Sequence, residues 1–348
     1  MIPDHPLAHL TAARFREFLR EPEAVFWVFV FPILLAAGLG FAFQSRPQQT
    51  IRVVVTEPAS AVSLNVMRAL KTEPSLIAEA LDDTAARTAL RTGQAALVVE
   101  PRPDGSVSYR YDDTRPEGRT ARMLADASVQ RALGRRDPLL TSDTKVRERG
   151  SRYIDFVVPG LLGMNLMGSG IWGIGFGIVT ARSKKLLKRL AATPMSRAHY
   201  LLSFLLFRLM LLVVEVVTLV GFGVFVFGVP LRGSIAQLAA ICIVSSLCFG
   251  ALGLLIASRA RTVEGASGLM NLAMLPMWVA SGVFFSAANF PDAVQPVIQA
   301  LPLTAVNDAL RANMLQGAGW SSVAPELAIV AAWMTVSFVL ALKLFRWR

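Results

Sequence analysis

Six stretches of the chain are hydrophobic over the length that a membrane-spanning helix requires. Such a helix needs about 20 apolar residues, because the hydrocarbon core is about 30 Å thick and each residue rises about 1.5 Å. Four stretches carry no charge, one contains only Glu215, and the last runs into Lys343; they cover residues 24–43, 156–180, 209–228, 233–258, 265–291 and 327–342. We therefore predict an α-helical polytopic membrane protein with six transmembrane helices.

Lysine and arginine are distributed asymmetrically among the short loops. With the N-terminus inside, the inside segments hold fourteen of these residues besides Arg208, which directly precedes the third span, and the short outside loops hold two, Arg232 and Arg311. Because positive residues of short loops stay on the cytoplasmic side, we predict a multi-pass protein of the inner (cytoplasmic) membrane with both termini cytoplasmic. The stretch 24–43 is longer than the core of about 7–15 residues of a cleaved signal, so we expect it to remain as an anchor.

The segment between the first two spans lies outside in this topology and is long enough for a folded domain. It has 108 residues, with 17 Lys and Arg against 14 Asp and Glu. Strand-like patterns at 51–57, 95–99 and 107–111 alternate with helical patterns at 63–71, 83–92 and 117–133. The predicted parts are a cytoplasmic amphipathic helix (1–22), transmembrane helix 1 (23–43), an extracytoplasmic α+β domain inserted between helices 1 and 2 (44–151), and transmembrane helices 2–6 (152–348).

The amphipathic helix before the first span is predicted over residues 7–21. At about 100° per residue, its apolar side chains share one arc of about 140°, and charged residues fill the rest of the wheel. The arc holds Leu7, Ala8, Ala12, Phe15, Phe18 and Leu19. We expect this arc to lie in the headgroup boundary while Arg14, Arg16 and Arg20 stay wet. The helix is then either a flanking anchor or a docking surface for a partner.

The inside loop after the second span is also amphipathic. Leu186, Leu187 and Leu190 recur at helical spacing with basic residues opposite them, and Pro194 ends the pattern. This predicts a short helix near 184–193, whose apolar stripe fits a groove on a partner. The positive charge of the loop is also expected from membrane topology alone.

Composition and motifs exclude several kinds of site. The chain is 54% hydrophobic and 17% charged, and its net charge of +11 is divided among short inside loops and not gathered in one nucleic-acid-binding patch. Cys242 and Cys248 are about 9 Å apart along a helix, too far for a disulfide. The three histidines have no metal-ligand spacing, and there is no Gly-x-x-x-x-Gly-Lys-Ser/Thr loop. We therefore expect no catalytic residue, cofactor or metal in this chain.

Several motifs occur in the order that one family of membrane proteins has. They are the run 153–167 (YIDFVVPGLLGMNLM), the run 187–197 (LKRLAATPMSR), Leu275-Pro276, the tract 281–285 (SGVFF), and Pro302-Leu303-Thr304 before Arg311. With the large segment between the first two spans, the chain resembles the permease subunits of type-two ATP-binding-cassette exporters, in the branch with a large outer domain. The resemblance covers essentially the whole chain.

The resemblance implies partners and site residues. Such a permease pairs with a second permease, identical or different, and with cytoplasmic ATPase subunits that bind ATP and Mg. The loop helix would be the coupling helix that contacts the ATPase, through Lys185, Leu186, Leu187, Lys188, Arg189, Leu190, Thr193 and Pro194. The helix before the first span would be the interface helix, with Arg14, Phe15, Phe18 and Arg20. The segment 290–317, apolar but broken by prolines, would form two short outer helices that dip back toward the membrane.

Polar side chains within the spans are candidates for a translocation path. Glu215 is a mid-span acid, and a charge at that depth needs a partner or water. It either lines the path or pairs with Arg208, about two turns away, or with a neighbouring helix. Asn165 and Asn271 either face the path or form interhelical hydrogen bonds.

These features favour a permease of an ATP-driven exporter for a hydrophobic or amphiphilic substrate, drug-like or lipid-like. The alternative is a membrane-anchored sensor or receptor with an extracytoplasmic ligand-binding domain. Four further spans, and no recognisable cytoplasmic signalling domain, count against that alternative. A membrane enzyme would need a nucleophile with a base, or a ligand cluster at one depth, and the sequence shows neither.

Overall fold

A computed structural model describes residues 6–44, 50–56, 61–102, 104–135, 150–183, 197–260 and 262–344. The chain divides into two compact units, of which the first comprises Met1–Gln44 and Arg147–Arg348 and the second comprises Ser45–Val146. We call them the helical unit and the sheet unit. Within the described residues, all four strands lie in the sheet unit.

The helices and strands are numbered in chain order. The helices are α1 (Pro6–Leu19), α2 (Pro22–Val25), α3 (Phe31–Gln44), α4 (Ala61–Lys71), α5 (Asp83–Thr92), α6 (Pro116–Ala132), α7 (Tyr153–Ser183), α8 (Arg197–Phe227), α9 (Ile235–Arg259), α10 (Val263–Ala280), α11 (Gln295–Gln299), α12 (Pro302–Arg311) and α13 (Trp320–Leu344). The strands are β1 (Ile51–Thr56), β2 (Leu76–Leu81), β3 (Leu97–Pro101) and β4 (Val107–Tyr111). A π-helical turn, Phe26–Val30, joins α2 to α3.

The described part of the chain contains five helices that are long and apolar enough to cross a membrane. They are Pro22–Phe43, Tyr153–Ser183, Leu206–Phe227, Ile235–Arg259 and Trp320–Leu344. The protein is thus a predominantly helical, polytopic membrane protein. The six predicted spans exceed this number by the stretch 265–291. Its helix, α10, has 18 residues and ends at Ala280, and it is less apolar than the other five because it contains Glu264, Ser267 and Asn271. The helix stops there because Gly282 adopts a left-handed backbone with φ of 72°.

Despite its length, α10 connects the same two ends of the helical unit as α7. It begins just after Ala260, whose carbonyl accepts a hydrogen bond of 3.2 Å from Arg182 near the end of α7. The residues after α10 meet the opposite end of α7, where the Tyr153 hydroxyl donates to the Phe284 carbonyl at 2.9 Å. The two helices therefore run antiparallel, and Ala266, Met270, Met274 and Met277 line the buried side of α10.

The centre of the helical unit is α7, which is buried along most of its length. Glycines let α9 approach it closely. A Cβ added at Gly170 would lie 2.8 Å from the Phe249 Cβ, and one at Gly253 would lie 2.6 Å from the Ile171 carbonyl oxygen. Small residues at such positions bring helix backbones together, which strengthens packing where lipid supplies no hydrophobic driving force between helices.

The sheet unit is a four-stranded sheet with the strand order β2-β1-β3-β4. The first three strands are parallel, and β4 is antiparallel to β3. Alternate residues of β1 face opposite sides: Val53 and Val55 pack with α4 and α6, whereas Val54 packs with α5. Both faces of the sheet are therefore covered by helices, as expected for parallel strands.

In the sheet unit, local sequence signals predict the helix α5 correctly but miss the strand β2. The Asp82 carboxylate accepts from the Ala85 amide at 3.0 Å to begin α5, and Gly93, with φ of 75°, ends it. That helix has the bounds that the pattern predicts, 83–92. The pattern missed β2, because this strand has apolar residues on both faces, Ile77 as well as Leu76, and so shows little alternation.

Candidate functional site

Glu215 belongs to a buried polar network that joins three helices. Its Oε1 atom accepts from Nη1 of Arg208 at 2.8 Å, and its Oε2 atom lies 3.0 Å from the Ser169 hydroxyl of α7. The Nε of Arg208 donates to the Ser246 hydroxyl of α9 at 2.9 Å. Glu215 is 1% exposed and Arg208 is 4% exposed. We call these four residues the polar network.

The spacing of the two charged residues explains how one helix holds both of them. Arg208 and Glu215 are seven residues apart on α8, which is close to two helical turns, so their side chains leave the same face. Each charge is the counter-ion that the other needs in a buried site, and the two serines satisfy further hydrogen-bonding positions. The structure thus contains the pairing that the sequence offered as one alternative for Glu215.

Glu215 also borders a narrow cleft between the first span, α7 and α8. The cleft is lined by Val28, Phe29, Pro32, Ile33, Asn165, Glu215, Thr218 and Leu219. Of the three candidate path residues, the structure therefore brings Glu215 and Asn165 together. Asn271 lies elsewhere, on the exposed side of α10.

Asn165 is 7% exposed and reaches across to the first span. Its Nδ2 atom donates to the Val28 carbonyl at 3.1 Å, inside the π-helical turn. The Asn165 carbonyl in turn accepts from the Ser169 hydroxyl at 2.7 Å. Asn165 therefore adjoins the polar network on one side and the backbone of the first span on the other.

The predicted interface helix, α1, packs against α8 and the first span through aromatic side chains. Phe18 lies 5.9 Å from Phe207 and 6.2 Å from Phe29, and Phe15 lies 6.5 Å from Phe207, between ring centroids. The buried Thr11 lies on this same side of the helix. In contrast Leu19, at the edge of the predicted apolar arc, is 55% exposed.

Arg14 was predicted to be exposed to solvent, and the structure does not bear this out. It is half-buried, and its Nε donates to the Ser203 hydroxyl of α8 at 3.0 Å. The reason is its spacing: positions 11, 14, 15 and 18 share one helical face, and that face meets α8. Arg16 and Arg20 are exposed, as expected.

The opposite end of the helical unit is held by side chains that bind backbone carbonyls of the tract 281–285. Asn307 donates to the Ser281 carbonyl at 2.8 Å, and Arg311 donates to the Gly282 carbonyl. The Arg311 guanidinium also lies 3.7 Å from the centroid of the Phe156 ring. These roles were not predicted; the sequence signal for them is that Asn307 and Arg311 interrupt an otherwise apolar segment.

The predicted coupling residues lie outside the described residues. They are Lys185, Leu186, Leu187, Lys188, Arg189, Leu190, Thr193 and Pro194. The described chain stops at Ser183 and resumes at Arg197. Just before the gap, Arg182 donates to the Ala257 carbonyl at 2.9 Å, so the last turn of α7 is fixed to α9.

No three His, Cys, Asp or Glu side chains come together as a metal site in the part of the chain that the structure describes. The helical unit instead buries charged and amide side chains among its helices, namely Arg208, Glu215 and Asn165. Groups of that kind are expensive in a membrane and mark functional pathways or helix contacts.

A family model described as "ABC-2 family transporter protein" matches residues 23–343. The chain therefore belongs to the ABC-2 family of transporter proteins.

Three relatives illustrate the range of the similarity. The chain is 24% identical to the probable multidrug ABC transporter permease YbhS of Escherichia coli over 327 residues, 87% of this chain and 86% of the relative. It is 24% identical to ABC transporter G family member 20 of Dictyostelium discoideum over 241 residues, 67% of this chain and 33% of the relative. It is 29% identical to the inner membrane transport permease YhhJ of Escherichia coli over 138 residues, 40% of this chain and 37% of the relative. The match thus spans only about a third of the length of the latter two.

Proposed function

We propose that the chain is the permease subunit of an ATP-driven exporter that moves a hydrophobic or amphiphilic substrate, drug-like or lipid-like. Separate cytoplasmic ATPase subunits would bind ATP and Mg and supply the energy. The observation that carries this proposal is the family match over 23–343, nearly the whole chain. The similarity to YbhS, a relative named as a probable multidrug permease and matched over most of both chains, supports the substrate class.

In this proposal the chain crosses the inner membrane six times, with both termini in the cytoplasm. The antiparallel run of α10 along α7 supports a crossing by α10, although it is shorter than the five long helices. The distribution of Lys and Arg supports the orientation. The sheet unit then lies on the extracytoplasmic side of the membrane, and in the sequence it stands between the first and second crossings.

The ATPase would dock on the cytoplasmic side, on the coupling segment near 184–193 and on α1. Two observations support a mechanical path from this side. The end of α7 next to the coupling segment is bound to α9 through Arg182, and α1 is packed on α8 through Phe15 and Phe18. ATP binding would draw the ATPase subunits together, and these contacts would pass the motion to the spans and switch the side on which the path is open.

A second permease, identical or different, would complete the path, and the exposed side of α10 is where the chain offers a surface for it. Leu272 and Leu275 are exposed there, and Asn271 lies beside them. An amide facing lipid is unfavourable, whereas one facing a protein surface or a polar path can form hydrogen bonds. The side that carries Asn271 therefore suits a partner helix or the path better than lipid.

The first experiment tests the ATPase partnership. The permease is expressed with a candidate ATP-binding-cassette ATPase from the same organism and purified through a tag on the permease. The triple variant L186D/L187D/L190D should lose the ATPase, because three carboxylates cannot enter an apolar groove. The matched control, L186I/L187I/L190I, keeps the stripe apolar and should retain it. An intact complex in the aspartate variant would count heavily against the assigned coupling helix.

The second experiment tests transport itself. Vesicles that contain the permease and its ATPase are scanned over fluorescent amphiphiles, with a Walker-lysine variant of the ATPase as the control. ATP-dependent movement of an amphiphile, absent in that control, is the expected result. Ligand binding that needs neither ATP nor the ATPase would instead favour a sensor.

A further inference from the structure

The first span contains a backbone carbonyl that its own helix does not pair in the usual way. In an α-helix the Val28 carbonyl would accept from the N–H of residue 32, but Pro32 has no N–H. The ring of a proline also crowds the carbonyl four residues before it. The π-helical turn Phe26–Val30 lies at this point, as is common where a helix is interrupted at a functional site.

Asn165 supplies the missing donor. Its amide nitrogen lies 3.1 Å from the Val28 carbonyl oxygen, and both Asn165 and Pro32 are buried. Because the surroundings of this carbonyl are buried, a carbonyl without a donor would carry the full cost of an unmade hydrogen bond. One side chain of α7 therefore completes the hydrogen bonding of another helix.

The contacts on either side of this hydrogen bond connect it to α1 and to the polar network. Phe29, the residue after Val28, packs on Phe18 of α1. Phe207, the residue before Arg208, packs on the same Phe18 ring. From Asn165 the contacts continue through Ser169 to Glu215 and Arg208. The ring of contacts thus begins and ends at one aromatic side chain of α1.

We propose that Asn165 is a positioning residue: its amide takes the place of the N–H that Pro32 lacks and holds the interrupted first span against the polar network. In this role Asn165 does not bind substrate. It keeps the first span, α7 and α8 in the register that lets α1 move them together. The effect on transport rests on the proposed function, whereas the hydrogen-bond substitution does not.

Replacing Pro32 by alanine provides the test, because it returns the N–H to the first span. Four full-length chains are compared: wild type, N165L, P32A and N165L/P32A. In the presence of Pro32, N165L should lower Tm by about 2–4 °C, since a buried carbonyl loses its donor. It should also lower the maximal transport rate in vesicles with the ATPase, while KM for the amphiphile stays unchanged. In the P32A background, N165L should have less than half of either effect.

A second proline serves as the control. Pro325 lies inside α13, on its exposed side. P325A also adds a helical N–H, but far from Val28 in the sequence, so N165L should cost as much in the P325A background as in wild type. If N165L yields no folded protein, recovery of folded protein in N165L/P32A counts as rescue, and failure to recover it overturns the proposal.

Two results would contradict the positioning role. Equal effects of N165L with and without Pro32 would show that the amide does not substitute for the missing N–H. A raised KM with an unchanged maximal rate would make Asn165 a substrate contact. If the wild-type chain with its ATPase moves no amphiphile, the proposed function fails, and the Tm comparison alone still decides whether Asn165 replaces the N–H.

Discussion

Arg208 and Glu215 form an ion pair of 2.8 Å within a single helix, and neither side chain is exposed by more than a few per cent. The pair lies where α8 meets α7 and α9, through the hydroxyls of Ser169 and Ser246. Because both charges are buried, each one depends on the other.

Removing one charge of the pair should be far more harmful than removing both. E215Q leaves Arg208 buried without a counter-ion, so we expect a loss of about 3–5 kcal/mol in the free energy of unfolding. R208M/E215Q should recover at least half of that loss. Chemical unfolding of the two purified variants and of the wild-type chain measures these free energies of unfolding. The matched control is E264Q, at an exposed acid in the first turn of α10, which should change stability by no more than about 0.5 kcal/mol. An E215Q variant that folds and assembles normally but transports less would instead place Glu215 on the path.

Gly163 and Gly173 of α7 should respond in opposite ways to alanine. A Cβ at Gly163 would overlap the side-chain oxygen of Asn307 on α12, whereas one at Gly173 meets no atom of the chain within 4 Å. We expect G163A to cost about 1–3 kcal/mol through overpacking. G173A should be neutral or should gain up to about 1 kcal/mol, because alanine favours helix. Thermal unfolding of the two variants checks this, and equal Tm values would refute the close contact between α7 and α12.

Phe18 and Leu19 are neighbours on α1 with different surroundings. F18A removes the aromatic contacts with Phe29 and Phe207, each worth about 0.5–1.5 kcal/mol, and should loosen α1 from α8 and from the first span. Leu19 is largely exposed, so L19A should have little effect. The measurement is the ATPase activity of the reconstituted complex with and without substrate. We expect F18A to lose substrate stimulation and L19A to keep it; the reverse order would mean that α1 acts through its other face.

The hydroxyl of Tyr109 in the sheet unit should lose its proton at a higher pH than an ordinary tyrosine does. Its partial burial and the nearby Asp126 carboxylate, 3.3 Å from its hydroxyl, raise the pKa of Tyr109 to about 12. The folded pKa lies above the ordinary value of 10.0. The stability that the neutral phenol contributes is therefore complete below pH 10 and is lost as the pH rises through about 12. The tyrosinate absorbance of wild type minus that of Y109F gives the titration curve, and D126N should move it to lower pH. A Tyr109 midpoint near pH 10 would contradict the burial.

The sequence by itself determined the features that depend on local pattern. The apolar stretches predicted all five of the described helices that are long and apolar enough to cross a membrane. Asp82 and Gly93 predicted the ends of α5. Motif order pointed to the permease family, which the match over 23–343 confirmed. These properties are readable because hydropathy, helix caps and motif order are each carried by residues close together in the chain.

Only the tertiary structure decided which polar groups meet. Asn165 and Asn271 look alike in the sequence, yet one is buried against the Val28 carbonyl and the other is exposed. Arg14 looked like a wet residue of a surface helix until α8 was found beside it. Likewise, Gly282 ends α10 earlier than hydropathy suggests. In each case the outcome depends on a partner remote in the sequence or on a backbone angle, and neither is encoded in the pattern of apolar and polar positions.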